Sequence, residues 1–214
     1  MTVMQPPLSV KAQEMATAMR DQSMRLHNMV TNLLDMARLQ SGMAAGQLPL
    51  RLEWQPIEEV IGASIQMLGT ALAHHPIQVR LAPDLQLVHI DAVLMERVFA
   101  NLLENASKYS PPHSTIEILG DQVDGQLIMR VQNPGAGFPP DKLDMVFDLF
   151  ERGLTESNIP GVGLGLAICK AIVEAHGGHI RALNPASGGA MVQFEIPLGS
   201  PPSVEPEAMP EQIA

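Results

Sequence analysis

The chain has one cysteine among its 214 residues. That excludes a disulfide framework and a cysteine-built metal centre, and Cys169, set in an apolar helical pattern, reads as a small buried hydrophobe in a reducing compartment. Basic residues are scarce too: 13 Lys and Arg against 23 Asp and Glu leave a net charge of −10. Sequence-independent nucleic-acid binding runs on neutralising phosphates with Lys and Arg, so nucleic acid is excluded as a partner and any phosphate site has to be local. No run approaches the roughly 18 apolar residues of a membrane span, and Met1 to Ser9 lacks the basic start and apolar middle of a signal peptide. The expectation is a cytoplasmic chain without membrane contact of its own. With 46% hydrophobic residues it can bury the core of one ordinary domain plus extra elements.

What is present centres on Pro160-Gly161-Val162-Gly163-Leu164-Gly165-Leu166-Ala167-Ile168-Cys169-Lys170, where alternating glycines run into an apolar helical pattern. Glycines let backbone N–H groups approach a ligand closely, and a helix starting there turns its positive dipole end to the same place, a candidate phosphate cradle. The common nucleotide motifs do not fit. A Walker loop ends in Gly-Lys-Ser or Gly-Lys-Thr, but Gly165 precedes Leu166; a dinucleotide fingerprint follows a strand, but Pro160 and a polar loop come first. Neither His-Arg-Asp nor Asp-Phe-Gly occurs, which excludes the protein-kinase glycine loop.

Along the chain, Leu8, Ala12, Met15, Met19, Leu26, Met29, Leu33 and Met36 recur at steps of three and four with Gln22 in the one gap. This predicts a long amphipathic helix from about Ser9 to Gln40, closed by Ser41-Gly42, whose seam calls for a partner helix. No second heptad segment exists in the chain, so either a helix is missing or another chain, such as a second copy, supplies it. A strand over Leu48 to Trp54 follows, then a helix from Pro56 to about Ala73 with Glu58 and Glu59 in its first turn. Ile77 to Leu81 and Leu87 to Ile90 read as short strands around Pro83-Asp84. Asp91 caps a helix from Ala92 to Tyr109 with an apolar stripe of Leu94, Val98, Leu102 and Ala106.

The polar face of that last helix carries Asn101, Asn105 and Lys108, four and three residues apart, with Tyr109 four beyond Asn105. Amide oxygens can ligate a hard cation such as Mg²⁺, and lysine can meet the phosphates that accompany it; a solvated polar face accounts for the same spacing. Strands over Thr115 to Gln122 and Gln126 to Gln132, joined at Asp124-Gly125, lead into the irregular Asn133 to Pro140. About 25 residues follow that read as a lid, anchored by Phe147 and Phe150, with Arg152 free to reach a ligand. The glycine-started helix runs to His176-Gly177-Gly178, where His176 and His179 read as a cap and a surface residue, and a hairpin over Ile180 to Ile196 closes the domain. The Pro- and Glu-rich tail reads as disordered.

Taken as an ordered set, Asn101-Leu102-Leu103-Glu104-Asn105-Ala106-Ser107-Lys108-Tyr109-Ser110, Asn133 to Pro139, Phe147 to Gly153 and Gly161 to Leu166 resemble the N, G1, F and G2 boxes of sensor histidine kinases. Asn32 to Arg38 resembles the second helix of their dimerisation and phosphoacceptor hairpin, and among subfamilies the chain is most similar to the potassium-responsive Kdp type. The resemblance implies a two-layer α/β sandwich of the Bergerat type, a mixed sheet covered on one face by helices and preceded by the long amphipathic helix. It divides the chain into a partial hairpin over 1–46, an ATP-binding catalytic domain over 47–198 and a tail over 199–214. It further implies ATP and Mg²⁺, with Asn105 on the metal, Asn101 and Lys108 on the phosphates, and Tyr109 near the adenine. Asn133, Gly135 and Gly137 would form the adenine pocket, Arg152 would approach the terminal phosphate, and Gly161, Val162, Gly163, Leu164, Gly165 and Leu166 would form the lid hinge and its phosphate contacts. No side chain of the chain is itself implied as catalytic. The implied partners are a histidine-containing kinase or the missing phosphoacceptor hairpin, and a response regulator receiver domain.

Two departures stand out. Asn133 occupies the position where the family carries an aspartate, and Pro134 that of an asparagine; losing the charged acceptor costs roughly 1–2 kcal/mol of nucleotide affinity. None of the seven histidines has the neighbours of a phosphoacceptor box, so phosphoryl transfer is expected only in trans. The alternative is a degenerate, non-catalytic module that pairs its Met-rich helix with another kinase. A hydrolase of the gyrase and Hsp90 type is disfavoured, because Asn101 stands where those enzymes place a water-activating glutamate.

Overall fold

The computed structural model describes residues 50–149 and 163–199, together with scattered positions between 9 and 37. The scattered positions from 11 to 37 are all helical, as the periodicity predicts, and Met15, Met19, Leu26, Val30, Leu33 and Leu34 on them are exposed. His27, the Ser41-Gly42 stop, Phe150 and the tail beyond Gly199 lie outside the described residues.

From residue 50 the elements run β1 (Glu53–Gln55), α1 (Ile57–Leu68), a 3₁₀ turn (Gly69–Leu72), β2 (Ile77–Leu81), β3 (Val88–Ile90), α2 (Ala92–Tyr109), β4 (Ile116–Val123), β5 (Gln126–Asn133), short 3₁₀ turns at Pro140–Lys142 and Met145–Phe147, α3 (Gly165–Ala175), β6 (His179–Leu183) and β7 (Ala190–Pro197). The main sheet has the order β2-β4-β5-β7-β6, parallel between β2 and β4 and antiparallel elsewhere; β1 and β3 form a separate antiparallel pair.

Strict alternation along β4 and β5 turns Ile116, Ile118, Leu127, Met129 and Val131 to one face of the sheet. Three helices cover that face. α2 lies between α1 and α3 and buries Met95, Val98, Phe99, Leu102, Leu103 and Ala106; α3 adds Ile168, Cys169, Ile172 and Val173. Each fully buried side chain of this size contributes about 1.5–3 kcal/mol, so this single apolar layer is the dominant favourable contribution. Phe99 and Phe194 meet edge-on with ring centroids 5.6 Å apart, joining helix to sheet. Asp91 caps α2 by accepting from the Leu94 N–H at 3.2 Å.

This is the mixed α/β sandwich expected, with two corrections of local detail. Among the described residues the first strand forms only at Glu53–Gln55, where β3 supplies a partner. β2 and β3 both form, but they do not pair with each other. β2 adds in parallel to β4, with α2 in the crossover between them, and a parallel partner leaves no signal in local alternation.

Candidate functional site

The site is assembled on the polar side of α2. Gly165, the first residue of α3, lies over Asn101 and Asn105: a Cβ on Gly165 would be 3.7 Å from Asn101 Oδ1 and 3.8 Å from Asn105 Nδ2. A Cβ would fit there at ordinary contact distance, and glycine leaves that space facing the two amides open. No side chain caps α3 and no acidic residue occupies its first turn, so its positive end is left to other partners. Gly163, two residues earlier, has φ +73°, a conformation that glycine adopts freely. Leu164 is buried and Leu166 half-buried, pinning this turn to the core.

Asn101 Nδ2 is buried and satisfies no hydrogen bond. An amide donor in that condition costs about 1–3 kcal/mol. The Cys169 thiol beside it is a weak partner whose Sγ faces Val98 O at 3.7 Å. Burial pushes that thiol up to about 12, only partly offset by Asn101.

Lys108 is turned to its own helix, Nζ lying 2.8 Å from Glu104 Oε1. Such a partly exposed i,i+4 pair is worth about 0.3–0.5 kcal/mol, so a phosphate can displace Glu104 at little cost. Sequence reasoning passed over Glu104, although the spacing of four was there to see.

At the far end of α2 the loop after β5 closes in. Asn133 is buried and its Nδ2 donates to Pro134 O at 3.0 Å. A Cβ on Gly135 would sit 2.6 Å from Tyr109 O, so only glycine lets this loop touch the end of α2. Tyr109 is itself exposed. Gly137 has φ +78° and approaches Asn184, which exchanges two hydrogen bonds with Phe138. Asn184 had no sequence signal, because its partner lies 46 residues away. Phe147 is buried and anchors the segment beyond the loop. Arg152, Gly161 and Val162 lie outside the described residues.

Two backbone approaches thus converge on one helix, at Asn101 and Asn105 and at Tyr109. Eight residues separate Asn101 from Tyr109, about 12 Å of helix. A helix start suits phosphate, and an elongated ligand would reach from there to the loop at Tyr109.

Known proteins resemble this chain in sequence and in fold. Residues 90–200 match the family described as histidine kinase-, DNA gyrase B- and HSP90-like ATPase. Sensor protein KdpD of Escherichia coli (strain K12) is 44% identical over 190 residues, covering 89% of this chain and 21% of that protein. KdpD of Clostridium acetobutylicum is 38% identical over 189 residues, 87% of this chain and 21% of the relative. The chain therefore spans about a fifth of these curated relatives. The solved mycobacterial sensor histidine kinase MprB superposes with a TM-score of 0.61 at 31% identity, covering 68% of this chain and 97% of that one. The fold alone is shared with ShkA, solved full-length in complex with AMPPNP, at a TM-score of 0.74 and 23% identity, over 92% of this chain and 41% of that one. No described helix is long and apolar enough to cross a membrane. With more than half of its residues matched by the family and a solved sensor histidine kinase sharing its fold at 31% identity, the chain belongs to the histidine kinase-like ATPase family, as the ATP-binding domain of a sensor histidine kinase most similar to the Kdp type.

Proposed function

We propose that this chain binds Mg-ATP along α2 and transfers the γ-phosphoryl group to a histidine presented by another segment or chain. The observation carrying the reading is the uncapped start of α3 standing over the side-chain amides of Asn101 and Asn105, a helix dipole and two amides brought to one place. Asn101, Lys108 and the N–H groups from Gly163 to Leu166 would hold the phosphates, with Gly161 and Val162 completing the turn and Arg152 meeting the terminal phosphate. The donor set fits a hard cation: the Asn105 amide oxygen would ligate Mg²⁺, which supplies charge neutralisation for phosphoryl transfer. The protein's own share is positioning, holding the phosphate chain in line with the incoming histidine and excluding water from it. Tyr109 and the loop from Asn133 to Gly137 would receive the base.

The acceptor would be a histidine on a partner kinase or on a phosphoacceptor hairpin, and a response regulator receiver domain would take the group onward. The exposed face of the N-terminal helix supports pairing with such a hairpin or with a second copy. The test is titration of the chain with ATP with and without Mg²⁺, beside Asn105→Ala, followed by addition of a histidine-bearing hairpin and assay for phosphohistidine. Magnesium-dependent binding lost in Asn105→Ala and phosphate on the hairpin are expected; tight ATP binding indifferent to both changes overturns the assignment. A non-catalytic module is favoured by one observation, the Asn133-Pro134 pair where a carboxylate is the family pattern. On that reading ATP binding stays beyond millimolar until Asn133→Asp restores it.

A further inference from the structure

We infer that Asn184, on the turn between β6 and β7, is a positioning residue that holds the loop after β5 in its ligand-ready shape before any ligand arrives. The inference rests on the nucleotide-site reading above. The β5–β7 ladder ends at the pair Asn133 and Ala190, so beyond Asn133 the loop backbone has no strand partner. Asn184 supplies one. Its Oδ1 accepts the Phe138 N–H at 2.8 Å and its Nδ2 donates to Phe138 O at 2.8 Å, so a single side-chain amide stands in for the missing peptide group.

The backbone is shaped around this clasp on both sides. A Cβ on Gly137 would come within 2.8 Å of Asn184 Oδ1. A Cβ on Gly189, at the other end of the same turn, would overlap Asn133 O. Gln132 Nε2 adds a third tie, to Ser187 Oγ at 3.4 Å. The turn from Asn184 to Gly189 is thus a shelf beneath the loop, and the loop's other side rests on Tyr109 O through Gly135. Fixing Phe138 fixes where the loop stands relative to α2, an ordering cost that a ligand would otherwise meet on binding. Aspartate lacks the donor and alanine lacks both groups, so the chemistry is specific to an amide of this length.

The test compares Asn184→Ala with the wild-type chain in three measurements: hydrogen exchange at the Phe138 amide without ligand, affinity for ATP, and affinity for inorganic tripolyphosphate. Faster exchange at Phe138 and an ATP affinity lower by about tenfold are expected, with tripolyphosphate affinity unchanged, because the clasp acts on the loop and not on the start of α3. A parallel loss of both ligands would mean a merely structural role and overturn the inference, as would wild-type exchange and ATP affinity in the variant. A wild-type chain that binds no ATP would overturn the nucleotide reading and this inference with it. Asn184→Asp, which keeps the acceptor and removes the donor, is expected to fall between the two and serves if the alanine variant does not fold.

Discussion

The His176 ring joins the end of one helix to the start of another: Nε2 accepts the Asp91 N–H at 3.0 Å and Nδ1 donates to Ile172 O at 2.8 Å. The residue is the C-cap of α3, as its place before Gly177-Gly178 indicates, but the tie to Asp91 crosses 85 residues. Burial lowers its pKa below 6.5, against opposing pulls from the Ile172 carbonyl and the Asp91 carboxylate. The folded chain therefore binds fewer protons than the unfolded chain as pH drops below 6.5. The stability this ring contributes is present above that value and is lost as pH falls through the depressed folded pKa. Removing it in His176→Ala should cost about 1–2 kcal/mol at neutral pH, and the gap from wild type should narrow toward pH 5, read by denaturant melts across that range.

Two glycines near α3 should respond oppositely to alanine. At Gly178 a Cβ would overlap Glu195 O and lie 2.6 Å from Ile196 Cγ2, so Gly178→Ala is expected to lose roughly 1–3 kcal/mol of stability. At Gly165 the nearest atoms stand 3.7 Å off, an ordinary contact, and Gly165→Ala should leave stability within about 1 kcal/mol of wild type. Its added methyl would occupy the space facing Asn101 and Asn105, so ATP affinity should drop while the melt does not. Calorimetry and titration on the same preparations separate the two cases.

Asn133→Asp should move stability and affinity in opposite directions. The position is buried and its Nδ2 donates to Pro134 O, so a carboxylate there loses a hydrogen bond and faces a carbonyl oxygen. The free protein is expected to be less stable by about 1–3 kcal/mol, and the ATP complex tighter by about tenfold. Unchanged affinity would remove this residue from contact with the base.

Cys169 should be silent toward thiol reagents. It is fully buried with its pKa raised to about 12, leaving almost no thiolate at neutral pH. Labelling by a disulfide reagent should occur only as fast as α3 detaches from the sheet, so its rate should follow denaturant dependence of opening. Rapid labelling in native buffer would contradict the packing of α3 on α2.

Local chemistry made much of this fold readable. Asp91 and the apolar stripe behind it mark α2, and its observed bounds, Ala92 and Tyr109, match that reading. The stacked asparagines and the spaced glycines carry the same kind of short-range information, and the structure brings Asn101, Asn105 and Gly165 together. Pairings between distant segments were not readable. Nothing near Ile77 indicates that its partner is Ile116, and nothing near Asn184 indicates Phe138. Lys108 shows the limit of reading a residue type alone, since the helix that offers it to a ligand also offers it Glu104.

Because α2 carries Asn101, Asn105 and Tyr109 on one rod, the interval between the two ends of the site cannot stretch. The helix is in effect a ruler. A molecule that grips both ends must span that fixed interval, about 12 Å, whatever the strength of its individual contacts.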